Sequence, residues 1–128
     1  MPPPHMIQDA TASQKRLQAD LLALIGPRDP SANLRALDAA ADYVAKEFGR
    51  CGLAVSEETF EVEGQRFRNI VGTCAGTTAP EERILVVAHY DTKPGTPGAD
   101  DNASAVAAML EVARLLTPLI LVSSLFLV

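Results

Sequence analysis

The run Ile84-Leu85-Val86-Val87-Ala88, which ends on His89-Tyr90-Asp91, constrains this chain more than any other segment. Five uninterrupted apolar residues after the breaker Thr78-Ala79-Pro80 predict a central strand covered on both faces. Titratable residues leaving its carboxyl end stand where open α/β sheets bind ligands. A Gly/Pro-rich loop, Lys93 to Gly98, comes next. From Ala103 to Leu116 the residues Val106, Leu110, Ala113 and Leu116 then share one helical stripe, with alanines that permit close packing on a sheet.

Upstream, Leu17, Leu21, Leu24 and Ile25 predict an amphipathic helix from about Gln8 to Ile25, stopped by Gly26-Pro27. Ser31 is a plausible N-cap for a second helix with the stripe Leu34, Leu37, Ala41, Val44 and Phe48, ended by Gly49 and Gly52. Between Leu53 and Thr73 the period shortens to alternation, with Phe60 and Val62, a turn at Gly64-Gln65, then Phe67, Asn69 and Val71, as in a β-hairpin. Helices, hairpin, strand, loop, helix and a last apolar stretch predict an α/β fold, a three-layer sandwich around a mixed sheet.

A chain of 128 residues, 48% hydrophobic and 21% charged, suits one globular domain spanning 1–128, with a flexible Pro-rich N-terminus over 1–7. Its net charge of −5 and lack of Trp provide neither a basic field nor stacking platforms for nucleic acid. Cys51 and Cys74 form no C-x-x-C pair and read as two buried free thiols. No basic n-region and apolar h-region open the chain, so the cytoplasm is the default compartment. The apolar end, residues 118–128, is too short to span a bilayer as a helix. It reads as a buried strand that has lost its surroundings, and exposed it would favour self-association.

The chemistry gathers after the central strand. His89 and Asp91 are two residues apart, so in strand geometry they share a face, and Asp91 can accept a hydrogen bond from the His89 ring. Such a carboxylate fixes the ring and makes its other nitrogen a better metal ligand. Asp101 arrives twelve residues after His89, where the loop returns to the strand end. A carboxylate can bridge two cations and imidazole offers one nitrogen, so His89 with Asp101 is a natural half of a two-metal site. The competing explanation is that Asp100, Asp101, Asn102 and Ser104 are ordinary capping residues before a helix. Glu57, Glu58, Glu61 and Glu63 read as a solvated hairpin edge, His5 is given no role, and Pro94 to Gly98 lacks the Gly-Lys-Ser/Thr of a phosphate loop.

Through His89-Tyr90-Asp91, Pro97-Gly98-Ala99-Asp100-Asp101-Asn102-Ala103-Ser104 and Glu111 to Leu116, the chain resembles the co-catalytic zinc exopeptidases, which include bacterial leucyl aminopeptidase and the glutamate carboxypeptidase group. The likeness reaches back loosely through Asn69-Ile70-Val71-Gly72 to the second helix. It implies a peptide substrate hydrolysed by a water that two zincs activate. It also implies His89 as a terminal zinc ligand, Asp91 as the residue that orients it, Asp101 as the carboxylate bridging both zincs, and Asp100 as a non-ligand. If His89 and Asp101 share one zinc, their facing atoms should lie about 3 to 4 Å apart. The resemblance also implies a cis peptide between Asp101 and Asn102. Ala105 replaces the family's usual Gly, and the sequence ends before the family's Glu-Glu pair, later acidic ligand and late His. The expectation is therefore the N-terminal portion of such a domain, truncated and inactive on its own. Rival expectations are a non-catalytic binding module, a gene fragment with the same fold, or a zinc glutaminyl cyclase.

Overall fold

The computed structural model describes residues 11–119 and 121–128. The stretch 1–7 and His5 lie outside the described residues. Among the described residues three α-helices and four strands appear in the order α1 (Gln14–Leu24), α2 (Leu34–Arg50), β1 (Ala54–Val62), β2 (Gln65–Cys74), β3 (Ala79–Val86), a kinked turn (Ala99–Ala103), α3 (Ser104–Leu116) and β4 (Ser123–Leu127). The strands form one mixed sheet in the order β1-β2-β4-β3. β1 with β2 and β2 with β4 are antiparallel, whereas β3 and β4 are parallel across the α3 crossover. This is the mixed α/β architecture that the element order predicts.

Ser13 caps α1, its hydroxyl accepting the Arg16 N–H at 3.3 Å. The expected cap Ser31 does not cap α2. Instead its hydroxyl donates to Asp29 at 2.6 Å, the Ala32 N–H reaches the same carboxylate at 2.9 Å, and Asn33 takes the cap position. Asp29, not visible to capping rules as an organiser of this turn, is held down to a pKa of about 2, chiefly by the Ser31 hydroxyl. Four of the five stripe residues of α2, Leu37, Ala41, Val44 and Phe48, are buried. The helix ends at Cys51: Gly52, with φ of 86°, donates to Gly49 O at 3.0 Å, and Leu53 N–H donates to Phe48 O at 3.2 Å. That is a Schellman closure with glycine in the left-handed position. Cys51 and Cys74 are free and half-buried, packed against the core rather than inside it.

The hairpin turn lies one residue earlier than expected. Glu63 and Gly64, with φ of 51° and 78°, make the two-residue turn, and Gln65 already pairs with Val62. Positive φ at both positions matches the twist of the strands, as in type I′ hairpins. Phe60 and Phe67 face each other across the pair with ring centroids 5.8 Å apart.

Two expectations about the sheet are corrected. The run Ile84 to Ala88 is not central and covered on both faces. β3 is an outer strand of this sheet, and Ile84, Leu85 and Val87 are 56%, 63% and 70% exposed. Conversely, the apolar end has not lost its surroundings. β4 lies between β2 and β3, with Leu125 and Leu127 buried. Apolarity reports that a strand is suited to burial but not which strands flank it, so the two runs exchange places relative to the expectation. No helix among the described residues is long and apolar enough to cross a membrane.

The three helices are joined by buried charge. Arg16 of α1 donates to Glu111 of α3 at 2.6 and 3.0 Å, and the Ser13 N–H adds a bond at 2.9 Å. Arg114 reaches Asp20 at 2.6 Å, Glu47 at 3.2 Å and Glu111 at 3.3 Å. Among the described residues no buried side-chain nitrogen or oxygen is left without a partner. The Arg16 hydrogen bond is the main reason that the Glu111 pKa falls to about 2. A depressed carboxylate pKa adds stability above its ordinary value of 4.5, and that stability is lost as pH falls from there toward 2. Glu111→Gln should therefore lower the melting temperature at pH 7 and flatten its fall between pH 5 and pH 2. Thermal melts of both proteins across that range check this, and parallel pH curves would contradict it.

Candidate metal centre

The site begins where β3 stops. Beyond Val86 the backbone still follows β4, with the Ala88 N–H donating to Val128 O at 3.0 Å, so the alternation of side chains continues through His89-Tyr90-Asp91. Tyr90 turns inward, packs against the core and donates its hydroxyl to Arg68 O. Burial is the main reason that its pKa rises. His89 and Asp91 turn outward on the same side, and His89 Nδ1 lies 2.9 Å from Asp91 Oδ1.

Asp101 comes from the kinked turn before α3. Its backbone is non-helical (φ −113°, ψ 87°), and the peptide to Asn102 is cis, as the resemblance implies. Its carboxylate faces the end of β3, with Asp101 Oδ1 3.1 Å from His89 Nε2. The three predicted residues therefore meet, with one carboxylate at each ring nitrogen of His89. The capping explanation does not account for them. No side-chain cap bond forms at either the turn or α3, and Ser104 donates its hydroxyl to Asp100 O at 2.7 Å instead. All three side chains are more than half exposed, so the site is open to solvent and ions. A cleft of ≈760 Å³ opens beside His89 and Asp91, walled by Leu37, Phe60, Phe67, Val87 and Met109.

The donor set fits zinc in kind. Imidazole and carboxylate are ordinary zinc ligands, and a carboxylate on the second ring nitrogen is the usual support for a ligating histidine. Two ligand atoms on a tetrahedral zinc are roughly 3.4 Å apart. The observed 3.1 Å is a few tenths of an ångström from that spacing. The set does not complete a shell: among the described residues no group of three or more His, Cys, Asp or Glu converges to hold an ion.

Sequence reasoning missed three residues that hold the site. Arg28 is buried and forms a dense set of bonds to backbone around Tyr90 and Gly98. Burial is the main reason that its pKa falls, opposed by the charge of Asp91. Thr92, 4% exposed, accepts the Arg28 N–H at 2.9 Å. Gly98 has φ of 61°, and its Hα atoms face Thr92 and Arg28 with no room for a Cβ. The Gly/Pro loop was visible as a loop. The partners that tie Arg28 to the site, Tyr90, Thr92, Pro97 and Gly98, lie more than sixty residues away in sequence and leave no local signal.

Residues 69–122, which include His89, Asp91 and Asp101, match the sequence profile of peptidase family M28. The chain is M28-like. Aminopeptidase YwaD of Bacillus subtilis is 36% identical over 77 residues, 57% of this chain and 17% of that protein. The structure of a glutaminyl cyclase from Porphyromonas gingivalis superposes with a TM-score of 0.72 at 30% identity, covering 93% of this chain and 44% of that one. A zinc aminopeptidase structure from Bacillus subtilis gives a TM-score of 0.84 at 14% identity, over 93% of this chain and 61% of that one, a likeness of fold alone. The M28-like chain spans at most about a third of the length of the curated relatives it matches. Its fold is that of zinc exopeptidases, and zinc metallopeptidase is the class to which its relatives' names point.

Proposed function

We propose that this chain supplies the first metal-holding half of a zinc-dependent peptidase site, of the aminopeptidase type, acting on peptide bonds. The observation that carries the proposal is the placing of His89 Nε2 3.1 Å from Asp101 Oδ1 with Asp91 on the opposite ring nitrogen, inside the segment that matches M28. His89 and Asp101 would hold zinc, with Asp101 free to use its second oxygen for a second ion. Asp91 keeps the His89 ring from turning and holds the Nδ1 proton, so that Nε2 presents its lone pair outward. When bound, zinc supplies Lewis acidity, polarising a substrate carbonyl and lowering the pKa of water. The cleft beside His89 and Asp91 offers apolar walls for a substrate side chain.

Two protein ligands leave a zinc under-coordinated, since catalytic sites supply about three per ion. Hydrolysis of aminoacyl nitroanilides by the 128-residue chain is therefore expected at background. Any hydrolysis above it should require zinc and vanish in His89→Ala and Asp101→Asn. Hydrolysis that resists a chelator and ignores both substitutions would overturn the proposal.

The glutaminyl cyclase likeness at 30% identity favours a second reading, intramolecular transfer rather than hydrolysis. There the α-amine of an N-terminal glutamine attacks its own side-chain amide and ammonia leaves, with the peptide bond intact. Incubation with an N-terminal glutaminyl peptide separates the two: free glutamine marks the peptidase, ammonia the cyclase.

A further inference from the structure

Arg28 is 3% exposed and makes no ion pair among the described residues, an unusual place for a guanidinium. Its donors are spent on main-chain carbonyls. Nε donates to Tyr90 O at 2.8 Å, Nη1 to Gly26 O at 2.8 Å, to Pro97 O at 3.3 Å and to Leu24 O, and Nη2 to Gly98 O at 3.2 Å. Its own backbone exchanges bonds with Thr92: the Arg28 N–H reaches Thr92 Oγ1 at 2.9 Å, and the Thr92 N–H reaches Arg28 O at 3.3 Å. The Gly26 N–H adds a bond to Pro97 O at 2.8 Å.

Three segments meet on this one side chain: the end of α1, the stretch His89 to Thr92, and the loop that delivers Asp101. Among the described residues no other side chain hydrogen-bonds to both the second and the third. His89 and Asp101 are carried by those two segments, one residue before Tyr90 and three after Gly98. A fork with five fixed donors can set the spacing of two backbones, whereas a lysine ammonium directs three donors from one point.

We infer that Arg28 is a positioning residue for the metal centre, setting the separation of His89 from Asp101 by tying the backbone at Tyr90 to the backbone at Pro97 and Gly98. The inference rests on the zinc reading of that site, but the spacing it invokes exists without metal and is tested without it.

The test uses the chain labelled with ¹⁵N and reads the His89 ring nitrogens, well below the melting temperature of each variant. Without metal, Asp101→Asn should move the His89 ring resonances in the wild-type background and leave them nearly unmoved in Arg28→Gln, where the two segments have come apart. With zinc titrated in, Arg28→Gln should weaken the affinity read at His89 by about tenfold or more, the usual effect of losing a support behind a ligand. Arg28→Lys should recover only part of it. If Arg28→Gln does not fold, Arg28→Lys, which keeps the charge but loses the fork, decides by the same comparison. An equal response to Asp101→Asn in wild type and in the variant that folds, with equal zinc affinity, would overturn the inference and leave Arg28 a purely structural residue. If zinc never moves the His89 ring in wild type, the zinc reading fails. The metal-free comparison still decides for or against Arg28.

Discussion

Phe48→Ala is expected to lower the stability of the chain by about 3–5 kcal/mol. Phe48 is completely buried at the end of α2 and packs on β2 where Gly72 leaves space for it. A Cβ at Gly72 would lie 2.9 Å from the Phe48 ring and 2.9 Å from Leu53, so the ring fills the gap that glycine creates. Removing it leaves a void between helix and sheet that neither Gly72 nor Leu53 can close. Domains of this size have about 5–15 kcal/mol in total, so much of the reserve would go with one side chain. Urea unfolding of both proteins measures the loss, and a difference below about 1 kcal/mol would mean that α2 does not pack on β2 as described.

Gly98→Ala should cost roughly 2–5 kcal/mol, and the cause is separable by a control. Gly98 has φ of 61°, where a Cβ is disfavoured by about 1–2 kcal/mol. Its Cβ would also come within 2.3 Å of Thr92 Cγ2 and 2.9 Å of Arg28 Nη2, an overpacking worth about 1–3 kcal/mol more. Gly95 has φ of 76° but nothing within 4 Å of a Cβ, so Gly95→Ala should show the backbone cost alone. Equal losses at the two positions would show that Gly98 is not the tight contact between the Asp101 loop and Thr92.

The candidate site was far more legible in the sequence than the sheet around it. His89 and Asp91 could be paired because strand alternation is a local rule. Asp101 could be added because a strand, a loop and a helix of those lengths bring the chain back to the same edge. Helix stripes were legible for the same reason, down to Phe48 and Leu110. Position within the sheet was not. Ile84 to Ala88 and Leu125 to Leu127 are both apolar runs, and only tertiary pairing decides that β4 is flanked on both sides while β3 is an outer strand. The hairpin turn shifted by one because Glu63, a residue without any special turn preference, takes a left-handed conformation beside Gly64. Arg28 is illegible for a related reason: in Pro27-Arg28-Asp29-Pro30 it looks like a charged residue in an exposed turn, and its burial comes from segments distant in sequence.

His89 and Asp101 are proposed to hold the metal, and Asp100 is not. Equilibrium dialysis against zinc, followed by elemental analysis, tests this on the chain and four single variants. Weak binding is expected for the wild type, because two protein ligands cannot close a zinc shell. Binding should fall to background in His89→Ala and Asp101→Asn, weaken by about tenfold in Asp91→Asn, and stay unchanged in Asp100→Asn. Wild-type binding retained in His89→Ala, or stoichiometric zinc held against a mild chelator, would contradict the account, since either result requires ligands other than these.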